Sequence, residues 1–230
     1  MKFSGGKLWL VCALLLSTAH PLLAATPHSF EIKNASKFFD IKILVESCED
    51  GFCKGKASFS FYTKDAKTPY QVINLPDTQI DLTDGKPSVN DTLLYDKQSA
   101  INIADFNFDG MDDVAICTGG NGSYGMPSYN VYLSSKAKGK FVYSRDFSEL
   151  GTHLGMFQVN KTKKTLTTFD KSGCCEHYTD EYDVVANRPR KIMSIEEDAT
   201  IPDETKVKVT TKRLVKGHWK TKVVYEKRQS

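Results

Sequence analysis

Apolar and polar residues alternate with a period of two along most of the chain after residue 26. Successive side chains of a strand point to opposite faces, so this alternation predicts strands that each bury one face. Such runs cover 30–33, 38–45, 57–63, 70–75 and 78–82, then 101–104, 114–117, 129–134 and 140–143. Further runs cover 155–160, 165–170, 178–185, 190–196, 206–215 and 218–225. Turn-forming residues separate them, among them Pro76-Asp77, Lys138-Gly139 and Lys216-Gly217. The segment 83–92, rich in Asp, Gly, Pro, Ser and Asn, reads as a loop. Helical spacing is nearly absent, and 147–150 has room for one short turn. Many short strands at regular intervals predict an all-β fold, a barrel, sandwich or propeller-like array. A division is expected in the loop region, with an N-terminal β-subdomain over 26–99 and a second unit over 100–230.

The ends change the picture of where the chain works. Residues 1–25 read as a cleavable signal peptide. Lys2 and Lys7 form a charged start, 8–16 is an apolar run too short to span a bilayer, and Ala24-Ala25 offers a small-residue cleavage site. Cys12 lacks the small residue that precedes a lipidated cysteine, so a periplasmic or secreted protein is expected rather than a lipoprotein. No later segment is apolar enough to cross a membrane. Without Lys2 and Lys7 the formal charge falls from +3 to +1, which does not suggest a nucleic-acid partner. Cations concentrate in 206–228, which carries Lys206, Lys208, Lys212, Lys216, Lys220 and Lys222 among others against Glu226. Lysines of this kind block edge-to-edge pairing of strands; a weak contact with anionic envelope components is the alternative.

In an oxidising compartment Cys48, Cys53, Cys117, Cys174 and Cys175 read as disulfide cysteines. Cys48 and Cys53 flank Asp50-Gly51, a spacing that suits a bridge at a hairpin tip. Cys117 has a candidate partner in Cys174 or Cys175, which leaves one thiol over unless the adjacent pair bonds to itself. A zinc site fits less well, because only His177 lies near and adjacent cysteines suit a tetrahedral site poorly.

The densest chemistry is Asp105-Phe106-Asn107-Phe108-Asp109-Gly110-Met111-Asp112-Asp113. Oxygen-bearing side chains fall at loop positions one, three, five and nine, with glycine at six. Ca²⁺ takes about six to eight oxygen ligands in a flexible shell, and carboxylates spaced two apart around a turn supply them. Asp105, Asn107 and Asp109 would give side-chain oxygens, Met111 its backbone carbonyl, and Asp113 would close the cage. An EF-hand is excluded, since its position-twelve glutamate is Ile116 here. A plain Asp/Asn/Gly turn between strands is the simpler alternative.

One strand later comes a glycine-rich loop, Thr118 to Tyr129, with Tyr124 near its apex between Gly122-Ser123 and Gly125. An exposed tyrosine on such a loop makes a good anchor for a partner's pocket. A tyrosine folded back on the sheet is the alternative. No Lys-Ser/Thr pair follows, so the glycines do not read as a phosphate cradle. Nothing resembles a nucleophile elbow or a His-Glu-x-x-His site, and the expected role is not catalytic.

Four motifs in order carry a family resemblance: the calcium-type loop with Val114-Ala115-Ile116, the run Asn121 to Leu133, Phe147-Ser148-Glu149-Leu150, and Gly173-Cys174-Cys175-Glu176-His177. Over about 100–195 the chain resembles a group of exported bacterial proteins with one FG-GAP-like, VCBS-like calcium loop on a small β-propeller-like domain. The group includes periplasmic immunity proteins directed against peptidoglycan-cleaving, lysozyme-like effectors. The resemblance implies a calcium-stabilised β-protein that inhibits such an enzyme, with Gly122, Ser123 and Tyr124 as the inserted loop. Tyr129 and His177 are further expected partner contacts. The alternative is a carbohydrate- or surface-binding module in which Tyr124, Tyr129 and the basic hairpin contact glycan.

Overall fold

The computed structural model describes residues 27–91, 94 and 98–228. The expected signal peptide, 1–25, lies outside the described residues. The first sheet holds β1 (His28–Ile32), β2 (Phe39–Glu49), β3 (Phe52–Thr63), β4 (Gln71–Leu75), β5 (Gln79–Thr83) and β6 (Lys86–Pro87). Its order is β1-β2-β3-β5-β6, with β4 also paired to β3. The second holds β7 (Ile101–Ala104), β8 (Asp113–Gly119), β9 (Ser128–Ser135) and β10 (Lys140–Ser144), in the order β10-β9-β8-β7. The third runs in simple sequence through β11 (Gln158–Asn160), β12 (Thr165–Ser172), β13 (Glu176–Val185), β14 (Arg188–Asp198), β15 (Lys206–Val215) and β16 (His218–Lys227). The molecule is all-β and propeller-like, as the alternation predicts.

The middle sheet is covered on both faces, and β8 shows why. Its sequence Asp-Val-Ala-Ile-Cys is a continuous apolar run after the acid, the signature of a strand buried on both sides. Val114 and Ile116 join a core with Ile41, Phe59, Phe61 and Ile101 from the first two sheets. Ala115 and Cys117 face the other way, into a core with Phe106, Tyr129, Phe147 and Phe157. Burying a side chain the size of Ile116 contributes roughly 1.5–3 kcal/mol. The first core draws residues from both sides of the 83–99 segment.

A side chain also stitches the first two sheets together. Gln71 Nε2 donates to the Phe141 carbonyl at 3.1 Å, and the Phe141 N–H donates to Gln71 Oε1 at 2.7 Å. One glutamine thereby pairs with β10 as a strand residue would. Thr78 adds a buried hydroxyl bond to the Cys117 carbonyl at 2.6 Å.

Two local expectations need correction. The run 155–160 is not one strand: only Gln158–Asn160 pairs with β12. Met156 and Phe157 drop into the second core, and Gly155 at φ 90° makes the bend that lets them. The short turn expected at 147–150 is a helix, α1 (Arg145–Leu150), which buries Phe147 and Leu150.

Candidate functional site

The acidic loop after β7 is closed largely by its own backbone. Asp105 accepts the Asp109 N–H on Oδ1 at 2.9 Å and the Gly110 N–H on Oδ2 at 2.8 Å. Asp109 Oδ1 accepts the Met111 N–H at 2.9 Å, and Asn107 Oδ1 accepts the Asp109 N–H at 3.2 Å. Asn107 Nδ2 bridges Asp109 and Asn187, which ties the loop to the β13–β14 turn. Two residues reach positive φ here: Gly110 at 89°, where glycine is at ease, and Phe108 at 62°.

Asp113, expected to close the cage, lies at the base of the loop. Its carboxylate is fully buried and turned into the middle sheet. Oδ2 accepts the Phe106 N–H at 2.8 Å and the Asn107 N–H at 3.4 Å, and Oδ1 accepts the Ser134 N–H at 2.8 Å. Burial pushes its pKa up to about 7; the three amides pull the other way and the charge of Asp109 adds to the rise. Among the described residues no three acidic, histidine or cysteine side chains converge as metal ligands. Asp105, Asn107 and Asp109 offer only oxygen chemistry around one turn, which fits a hard cation, while Asp113 pins the base of the loop.

The Tyr124 loop rises one strand further on. The Gly122 N–H donates to the Met126 carbonyl at 2.9 Å, and the Ser123 N–H is shared between the Thr152 and His153 carbonyls at 3.0 and 2.9 Å. A Cβ on Gly122 would stand 2.6 Å from the His153 oxygen and 2.7 Å from that of Met126, so only glycine fits this base. His153 is itself held by an imidazole contact to the Asp170 carboxylate of β12. Tyr124, at the apex, has φ 57° and ψ 30°. A bulky residue in the left-handed region is uncommon and gathers at functional positions.

Tyr124 is 60% exposed, yet it is not loose. Its hydroxyl accepts the Gly173 N–H at 2.6 Å, and the Lys171 ammonium lies 4.6 Å from the ring centroid. Both belong to the β12–β13 hairpin tip. That tip carries a disulfide between neighbours, Cys174–Cys175. The fold thus joins two sequence motifs about fifty residues apart into one ridge. Gly173 and Lys171 were not among the expected contacts. The Gly-Cys-Cys motif pointed to the right hairpin but not to its tyrosine partner.

Other expected contacts divide. His177 is exposed and lines a shallow groove of about 480 Å³ with Cys174, Cys175, Glu197 and Arg228. Tyr129 is 1% exposed and leaves the contact surface altogether. Its hydroxyl donates to the Ser99 carbonyl at 2.8 Å and its ring fills the second core, so it is a packing residue. Burial raises its pKa.

Cys48–Cys53 bridges the β2–β3 hairpin tip as its spacing predicts. The adjacent pair bonds to itself, and Cys117 is a free thiol. Cys117 is therefore not a disulfide cysteine; it sits inside the second core and its pKa is pushed up to about 11 by burial, which makes it unreactive.

These features define an all-β protein of propeller-like sheets whose candidate site is a braced tyrosine loop beside a disulfide-bonded hairpin tip. The fold is similar to the solved structure of a Xanthomonas Type IV secretion system related protein, with a TM-score of 0.64 and 25% identity. The match covers 86% of this chain and 99% of that one. No family model and no curated protein matches the sequence.

Proposed function

We propose that this chain is an exported inhibitor or immunity protein that blocks a peptidoglycan-cleaving, lysozyme-like enzyme. The Tyr124 ridge enters the enzyme's cleft, and this chain supplies no chemistry of its own. The observation that carries the proposal is the state of Tyr124: solvent-facing, left-handed and already tied to Gly173. A preorganised aromatic side chain loses little freedom on binding, so more of its contact energy appears as affinity. Similarity to a Type IV secretion system related protein supports a setting in bacterial secretion. The disulfides suit an oxidising compartment. A glycan-binding role is weakened by Tyr129, whose ring is in the core.

The test is a turnover assay of muramidases on peptidoglycan with and without this protein, paired with a pull-down from periplasmic extract. Wild type inhibits at least one muramidase, and Tyr124→Ala weakens inhibition by about a hundredfold, the scale of a central aromatic anchor. If wild type leaves every muramidase tested at full rate, the inhibitor proposal fails. Binding to purified glycan with no effect on turnover would favour the surface-binding alternative.

We also propose that the 105–113 loop takes Ca²⁺ through Asp105, Asn107, Asp109 and the Met111 carbonyl, with solvent completing the shell. Support comes from the all-oxygen donor set gathered around one turn. Calcium then raises the melting temperature of wild type and not of Asp109→Ala. A wild-type melt indifferent to millimolar-scale calcium, set against a chelator control, would rule this site out.

A further inference from the structure

The outer end of the β15–β16 hairpin runs on past its neighbouring strand. β14 pairs with β15 only as far as Met193↔Arg213, whereas β15 and β16 stay paired to Val215↔His218. Beyond Arg213 the hairpin therefore pairs with no third strand among the described residues. Between 212 and 222 the cations are Lys212, Arg213, Lys216, Lys220 and Lys222, and there is no acid. Every one of these is exposed. The same hairpin leaves large apolar side chains in water: Trp219 is 49%, Val223 47% and Tyr225 60% exposed. Residues 219, 223 and 225 share one face, because strand side chains alternate. Leu214 stands opposite Trp219 on that face and Lys212 opposite Thr221, whereas Arg213, Lys220 and Lys222 fall on the other face.

Edge protection accounts for lysines on β16 but not for an aromatic and aliphatic row beside them. A second copy of this chain pairing through the same edge would set two lysine rows against each other, which is repulsive. Cations flanking exposed tryptophan and tyrosine match the interface of an anionic bilayer instead. There the aromatic rings sit at headgroup depth while Lys and Arg meet phosphate.

We propose that this projecting hairpin is a peripheral binding site for anionic phospholipid membrane. Trp219, Leu214 and Val223 enter the headgroup region, Lys212 on their face and Lys216 at the turn meet lipid phosphate, and Arg213, Lys220 and Lys222 on the opposite face add longer-range attraction. The inference stands independently of the Tyr124 proposal, since it uses a different edge of the molecule.

Trp219 gives a direct readout, because Trp9 is the only other tryptophan in the sequence and is removed when the protein is produced from residue 26. The protein is floated with vesicles of phosphatidylglycerol and phosphatidylethanolamine, and separately with phosphatidylcholine vesicles. Expected are binding to the anionic vesicles about tenfold or more above the neutral ones, a blue shift of Trp219 emission, and loss of binding at high salt. Lys212→Glu/Lys216→Glu weakens binding by about tenfold or more while its melting temperature stays near that of wild type. Trp219→Leu, read by flotation alone, keeps binding, whereas Trp219→Ser weakens it. Equal binding to neutral vesicles, no binding, or an unchanged charge-reversal variant overturns the proposal. So does binding without a blue shift, or equal affinity for a soluble anionic polymer, since either assigns charge alone and no membrane depth.

Discussion

Asp113 shows how one buried carboxylate can organise a loop. Its two oxygens accept three backbone N–H groups from the loop and from β9. In Asp113→Asn one oxygen becomes a donor that faces an N–H, so a hydrogen bond is lost and a buried group is left unpaired. The expected cost is about 1–3 kcal/mol in urea unfolding. The raised pKa also has a sign. The folded protein holds the Asp113 proton up to about pH 7, whereas the unfolded chain releases it near 3.8. This residue therefore favours folding most at low pH, and its contribution is lost as pH rises through about 7. With chelator present, wild type loses more stability between mildly acidic and mildly alkaline pH than Asp113→Asn does. Parallel profiles for the two proteins would contradict the shift. At this same scale the sequence placed an acid at position nine of the loop, but that its oxygens accept three amides depends on the sheet that folds beneath it.

Among the elements, the hairpin tip of β12 and β13 matters most for the site. Its register sets Lys171 opposite His177, and its backbone offers Gly173 to Tyr124. The Cys174–Cys175 bridge closes a small ring at this tip and fixes its path. Cys174→Ser/Cys175→Ser should weaken muramidase inhibition by about tenfold or more with little change in melting temperature, because the tip lies outside both cores. Inhibition at wild-type strength would place the tip outside the contact. Strand positions were largely legible, since alternation survives wherever one face meets a core. It failed at 155–157, where a buried loop and a strand carry the same apolar signature. The helix Arg145–Leu150 was legible only as a short turn, because it is six residues long and its packing, not its propensity, secures it.

On the scale of the whole molecule, the middle sheet is the shared wall of two cores. Val114 and Ile116 serve one and Ala115 and Cys117 the other. Gln71 crosses between sheets to pair with Phe141. Gln71→Ala should cost about 1–3 kcal/mol and leave the slope of urea unfolding unchanged, since it removes two hydrogen bonds without separating the sheets. A lower slope, or two separate transitions, would show that the sheets unfold independently. The loop region around 83–99 looks like a boundary in composition, yet Ile41 and Phe59 before it pack with Ile101 and Val114 after it.

The sequence by itself determined the all-β class, most strand positions, the Cys48–Cys53 bridge and the two loops that carry chemistry. Each follows from local rules: alternation, turn residues and short spacing. Only the tertiary structure decided that Tyr129 is core and Tyr124 surface, that Asp113 faces amides, and that Cys175 takes its neighbour rather than Cys117. It alone brought Tyr124 to Gly173 and left Trp219 on a projecting edge. The physical reason is common to all of these. Burial and partnership are set by which faces of distant strands meet, and no residue's neighbours in sequence record that meeting.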